Sequence, residues 1–251
     1  MNDVYIYDDN FNSLLNLINI LLKNKIKPFN IKNNSYCPNL LDNIIYLKTD
    51  EKNIIEIYQK SLGEEIFKII YYVFLSNEDE KELIIYYFLL NYIKYRNKVV
   101  YMRNLLCVSE ALRISKYVSR ENHRFKGFTR FKELKNKVLY AEIEPENNII
   151  ELLSFHFKNR LKNECWIIKD VKRMIISIYD KNNFYVFSED NLKFLEIEMS
   201  NSEMDIEDLW KAFYKNIGIK ERRNDKCQRN FMPKKYWKNI LEVSEEYEIS
   251  C

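Results

Sequence analysis

His156 and Arg160 lie four residues apart in a segment where Ile149 and Leu153 recur at helical spacing. At about 100° per residue all four share one helical face, flanked by Phe157. Both polar side chains can donate to a phosphate, which would make them the floor of an anion site. An arginine inside an apolar stripe is costly unless it is paired or reaches solvent. The same face therefore also reads as structural, with His156 a core histidine and Arg160 partly buried against a carboxylate, Asp170 being the first choice.

Asp170 has two placements. On a strand continuing from Trp166 it shares that residue's face; opening a turn, it comes close to Arg173. Glu121 and His123 lead into residues 125–131, which alternate as a strand, with Phe128 and Arg130 on one face and Gly127 allowing close backbone approach on the other. A hydrolase acting on nucleic acid can use Asp170, His156 or Glu121 to activate water while an arginine stabilises developing charge. Nothing in the spacing demands that chemistry.

The elements that must position these residues follow from periodicity. Residues 4–7 read as a short strand and 11–23 as an amphipathic helix ended by Lys27-Pro28, while 28–47 are loop-like. From 50 to 118 the pattern is helical. Thr49 and Asp50 can cap the first helix, the chain breaks at Gly63, and Ser76 and Asn77 precede a further start. Leu83, Tyr86, Tyr87, Leu90 and Ile93 form a core stripe. Near residue 124 the period changes. Strands are predicted at 125–131 and 138–143, joined by a turn at Lys135-Asn136, then a helix at 148–161 and strands at 166–168, 174–179 and 184–187. Another edge strand fits 194–199, Ser202 and Asp205 form a capping box for a helix holding Trp210, and Pro233 opens a last helix. The expected fold is α+β. A mainly helical N-terminal portion, residues 1–118, packs as a bundle on an antiparallel β-β-α-β-β-β sheet domain with C-terminal helices, residues 119–251.

Composition narrows the chemistry. The chain has 251 residues but only three glycines, which excludes a P-loop and a dinucleotide fingerprint. Two histidines and five widely spaced cysteines offer neither a zinc site nor an iron–sulfur site, so neither metal nor cofactor is expected. The odd cysteine count, the acidic N-terminus and apolar runs too short for a bilayer predict a cytoplasmic protein without membrane contact.

Net charge is only +3, but it is unevenly spread. Residues 113–137 hold nine Lys/Arg against two acids, and 220–238 hold eight against two, whereas 188–208 hold eight acids against one Lys. Both basic blocks are interleaved with aromatics, a pattern suited to a polyanion. They are expected to meet in a groove around Arg130, Arg173, Arg223 and Lys234, with Arg160 and Trp237 completing the nucleic-acid-binding set.

The ordered segments R-E-N-H-R-F-K-G-F-T-R-F (120–131), Y-A-E-I-E-P (140–145), H-F-K-N-R (156–160), W-I-I-K-D-V-K-R (166–173), L-W-K-A-F-Y (209–214) and E-R-R-N-D-K-C-Q-R-N-F-M-P-K-K-Y-W (221–237) resemble the bacterial family called "probable DNA metabolism protein", which contains a domain of unknown function. The opening Y-I-Y-D-D-N-F-N-S-L-L (5–15) is similar too, departing at Asp9-Asn10, where small residues are expected. The resemblance implies a setting beside a putative DNA modification or repair radical SAM protein. Some members are fused to a uracil-DNA glycosylase domain. It implies no catalytic role for any residue here.

Three functions follow as expectations. The first is a nucleic-acid-binding accessory, partnered by DNA or another nucleic acid and by a radical SAM protein in DNA repair or modification. The second is a hydrolase or glycosylase acting on nucleic acid in its own right. The third is a purely structural partner whose basic face meets an acidic protein.

Overall fold

The computed structural model describes residues 2–47, 53–134, 137–188 and 225–240. Contacts divide the chain into two units, Met1–Ser119 and Arg120–Cys251.

In the first unit, β1 (Asn2–Tyr7) is central, and its last four side chains are buried. α1 (Phe11–Lys23) starts where the sequence says it should. Asn10 caps it, its Oδ1 accepting the Ser13 N–H at 2.8 Å. Residues 28–47 are not simply loop: they hold β2 (Asn30–Asn33) and β3 (Asp42–Tyr46), both paired parallel to β1 in the order β2-β1-β3. Their asparagines are poor strand formers. Pairing with an apolar central strand overrides that local preference.

α2 (Ile55–Leu62) runs almost directly into α3 (Glu64–Leu75) through Gly63, whose φ of 78° a side-chain-bearing residue rarely adopts. Ser76, expected to open a helix, instead closes α3 by donating its hydroxyl to the Val73 carbonyl at 2.6 Å. α4 (Lys81–Tyr95) is rotated from the stripe read in the sequence. It buries Glu82, Ile85, Tyr86, Phe88, Leu89 and Tyr92, and leaves Leu90 and Ile93 exposed. Glu82 faces inward to accept the Tyr7 hydroxyl at 2.9 Å, joining α4 to β1. Burial pushes the Glu82 carboxyl above its ordinary range. A 3-10 helix (Arg96–Tyr101) follows. The proposed Thr49–Asp50 cap lies outside the described residues.

α5 (Leu106–Phe128) spans the division between the units. It corrects the strand expected at 125–131, because the segment is helical through Phe128. Glu121, Phe125 and Phe128 satisfy i, i+4, i+7 spacing as well as Phe128 and Arg130 satisfy alternation, and a short run does not separate the two periods.

In the second unit the strands are β4 (Lys132–Glu133), β5 (Leu139–Ile143), β6 (Trp166–Asp170), β7 (Ile175–Tyr179) and β8 (Phe184–Ser188), with α6 (Ile150–Arg160) between β5 and β6. The sheet order is β4-β5-β6-β7-β8. It is mixed rather than antiparallel: β5 and β6 pair parallel, and the other neighbours antiparallel. A helix inserted as a crossover returns the chain in the same direction, which forces that one parallel pair. Ser154 of α6 meets Ser177 of β7 at 2.7 Å, hydroxyl to hydroxyl, both fully buried. On the opposite sheet face Leu134, Tyr140, Ile167 and Ile176 form a buried cluster.

α7 (Asp225–Phe231) and a 3-10 helix (Lys234–Asn239) end the described chain, with Pro233 at the cap of the latter. The proposed strand at 194–199, the helix holding Trp210 and the Lys135-Asn136 turn lie outside the described residues. Among those described, no helix is long and apolar enough to cross a membrane.

Candidate nucleic-acid interface

The two carboxylates proposed for catalysis are both turned inward. Glu121, on α5, is 2 % exposed. Its Oε1 accepts the Glu146 N–H at 2.9 Å and the Tyr236 hydroxyl at 3.1 Å. Oε2 accepts the Asn147 N–H at 2.9 Å and its side-chain amide at 2.6 Å. Four donors saturate one carboxylate. The Asn147 side-chain amide is thus engaged with Glu121, and α6 begins without a side-chain cap at Ile149.

Asp170 is fully buried at the end of β6 and opens a turn. Its Oδ1 accepts the Lys172 and Arg173 N–H groups, and its Oδ2 pairs with Arg173 Nη1 at 3.0 Å. Burial pushes the Asp170 carboxyl up, and the Arg173 guanidinium pulls it back in part. Both sequence placements hold, since β6 runs on from Trp166 through Asp170 and Asp170 then opens the turn that brings Arg173 to it. The predicted Arg160–Asp170 pair does not form, since Arg160 is exposed at the end of α6 and Arg173 occupies Asp170. Arg173 also donates to the carbonyls of Pro145, at 3.1 Å, and Glu146. The Arg173 side chain is 18 % exposed and its guanidinium is spent on protein acceptors, so it binds the fold together rather than standing in an open groove.

The α6 face read from sequence is displaced as well. Ile150, Leu153, Ser154 and Phe157 are the buried set, which leaves His156 half-buried at the flank. His156 Nε2 is buried with no hydrogen-bond partner among the described residues. Burial first, then the positive charges of Lys126 and Arg160, hold this imidazole below the usual histidine range. Lys126 comes from α5 and Arg160 from α6, so positive charge from two helices acts on one histidine. Phe155, next to His156, is 64 % exposed, and Arg120 and His123 are exposed on α5. Phe131 packs edge-on against Phe157, with ring centres 4.9 Å apart, and tilted against Trp166 at 6.4 Å.

The segment 225–240 is brought against the end of α5. The Tyr236 ring lies 5.1 Å from Phe125 and 5.8 Å from Phe128, and Lys235 pairs with Glu146. Burial first, then the charge of Glu121, pushes the Tyr236 phenol up to about 12. Trp237, proposed as a stacking platform, is buried instead, its indole N–H donating to the Met232 carbonyl at 2.8 Å. Lys234 is exposed above the Trp237 ring. Arg130 is half-buried and donates to the Gly127 carbonyl at 2.5 Å. Gly127 does not serve a close approach, because a Cβ there would meet nothing within 4 Å. Arg223 lies outside the described residues.

Sequence reasoning missed Lys126 and Phe155. Lys126 was visible only as one member of a basic block. Phe155 lies more than a quarter turn off the Ile149–Leu153 line, a signal of exposure that the adjacent aromatics masked. No group of three or more His, Cys, Asp or Glu among the described residues could hold a metal ion.

The DUF4130 family, described as a domain of unknown function, matches residues 79–242. No curated protein and no solved structure matches the chain.

Proposed function

The chain belongs to the DUF4130 family, and from that premise we propose that it is a nucleic-acid-binding accessory protein acting with a radical SAM enzyme in DNA repair or modification. The observation that carries the nucleic-acid part is half-buried His156, whose Nε2 has no hydrogen-bond partner among the described residues and whose imidazole feels the positive charges of Lys126 and Arg160. All three groups can donate to phosphate, and an anion relieves the repulsion among them. Phe155, next to His156 in sequence, offers an exposed ring face for an unstacked base, and Arg120 and Lys234 are further exposed cations of the same unit. The radical SAM partner rests on the resemblance in the ordered motifs. This chain's scattered cysteines leave the cluster chemistry to that partner.

Anisotropy of a labelled DNA oligonucleotide across a salt series tests the first part. Each phosphate contact contributes about 0.9 to the slope of log affinity against log salt on duplex, or about 0.7 on single strands. Lys126→Glu with Arg160→Glu should lower that slope and weaken all sequences alike, since phosphate contacts position rather than specify. A pull-down of the radical SAM protein, with and without DNA, tests the second part. Salt-insensitive binding, or none, sinks the nucleic-acid reading and leaves a protein-binding face.

A further inference from the structure

We propose that a cleft in the first unit, between the α2–α3 junction and the end of α4, is a second phosphodiester site that takes the backbone of single-stranded nucleic acid. The inference rests on the nucleic-acid reading above and adds a contact surface that the basic sequence blocks do not include.

The cleft is open and has a volume of about 820 Å³. Lys60, Lys94, Arg96 and Lys98 line it, together with Tyr92 and Tyr95. All four cations are exposed, and none is in an ion pair among the described residues. Among the described residues no carboxylate lines the cleft, and Glu64 and Glu65, the acids nearest to Gly63 in sequence, are not among its walls. A chain with nearly balanced charge thus collects four positive groups around one concavity. That arrangement is self-repulsive unless an anion occupies it.

The walls are braced. The Tyr92 hydroxyl donates to the Ser61 carbonyl at 2.9 Å, fixing α4 to the α2–α3 junction. The Arg96 guanidinium lies 5.9 Å from the Tyr92 ring centre and Lys94 Nζ 5.0 Å from that of Tyr95, which directs the cations along the aromatic wall. A guanidinium and ammonium groups beside tyrosine faces suit a phosphate chain carrying unstacked bases better than they suit carboxylates alone.

The test uses the full chain and a labelled oligothymidylate. Wild type, Lys94→Glu/Lys98→Glu and Lys126→Glu/Arg160→Glu are compared by salt-dependent anisotropy, and thermal melts confirm that each variant is folded. Loss of two phosphate contacts in the cleft should reduce the salt slope by about 1.4, at about 0.7 per contact on single strands. In a parallel arm, lysine acetylation read by mass spectrometry should show Lys60, Lys94 and Lys98 protected by the oligonucleotide, including in the Lys126→Glu/Arg160→Glu variant. An unchanged slope in the cleft variant, with wild type still binding, overturns the cleft and spares the earlier reading. Absence of wild-type binding overturns both. Equal protection by polyglutamate overturns the nucleic-acid assignment of the cleft in favour of an acidic protein surface.

Discussion

Glu121 and Arg173 hold the same peptide group from opposite ends. The peptide joining Glu146 to Asn147 gives its N–H to Glu121 Oε2 at 2.9 Å and its carbonyl to the Arg173 guanidinium. One residue comes from α5 and the other from the turn after β6, so the loop entering α6 is fixed by two charged side chains of opposite sign. Asp170 balances Arg173, and Tyr236 adds the last described segment to Glu121. Residues that look catalytic by type are here the frame that sets the start of the helix carrying His156.

Glu121→Ala should therefore be severely destabilising. It strands four donors, and each buried donor without an acceptor costs about 1–3 kcal/mol, so a loss of more than about 3 kcal/mol is expected. Tyr236→Phe removes one donor and leaves the other three, for about 0.5–1.5 kcal/mol. Urea titration of both variants checks the ranking. Equal losses would show that Glu121 is not the hub.

Arg173→Ala should cost about 3–5 kcal/mol, because it leaves Asp170 buried and unpaired. Arg173→Lys restores charge but not the planar fork that reaches two carbonyls and a carboxylate, so it should recover only part of the loss. Arg160→Ala, exposed and apart from Asp170, should stay within about 0.5 kcal/mol of wild type. A large effect at Arg160 with a small one at Arg173 would reverse the pairing described here.

Much of this arrangement was legible in local sequence. The helix at 11–23, the break at Gly63 and the strands around Trp166, Ile176 and Phe184 are written in helical periodicity, turn chemistry and alternation, which act over a few residues. What escaped depends on partners far along the chain. β2 and β3 form only because β1 accepts them, and the parallel β5–β6 pair follows from a crossover that alternation cannot encode. Phe125 and Phe128 fit two periods at once. The Asp170–Arg173 turn was visible as an i, i+3 option, whereas the effect of Lys126 on His156 joins residues far apart in the chain and has no sequence signature.

Glu82 offers a pH test in the first unit. Its carboxyl titrates higher in the folded chain than in the unfolded one, chiefly through burial. The folded state therefore holds the proton more tightly. This contribution to stability is present below the unfolded value and lost as pH rises through the folded value. Glu82→Gln keeps an acceptor for Tyr7 and removes the ionisation, so its melting temperature should exceed wild type at pH 7 and converge with it on acidification. A variant less stable than wild type at neutral pH would contradict the burial penalty.

His156 carries the opposite sign and links stability to binding. Its folded pKa is depressed, by burial first and then by Lys126 and Arg160. Its contribution to stability is present above the unfolded value, about 6.5, and is lost as pH falls through the folded value. His156→Gln should flatten that acid limb. A phosphate placed among the three groups favours the imidazolium, so bound oligonucleotide should raise the His156 pKa and affinity should increase as pH falls. With two histidines in the chain, imidazole NMR resonances are assignable by a single His123 variant, and exposed His123 serves as the comparison. An upward shift at His156 on adding oligonucleotide places the anion in this cluster. No shift at His156, under conditions where anisotropy shows binding, removes the cluster from the interface.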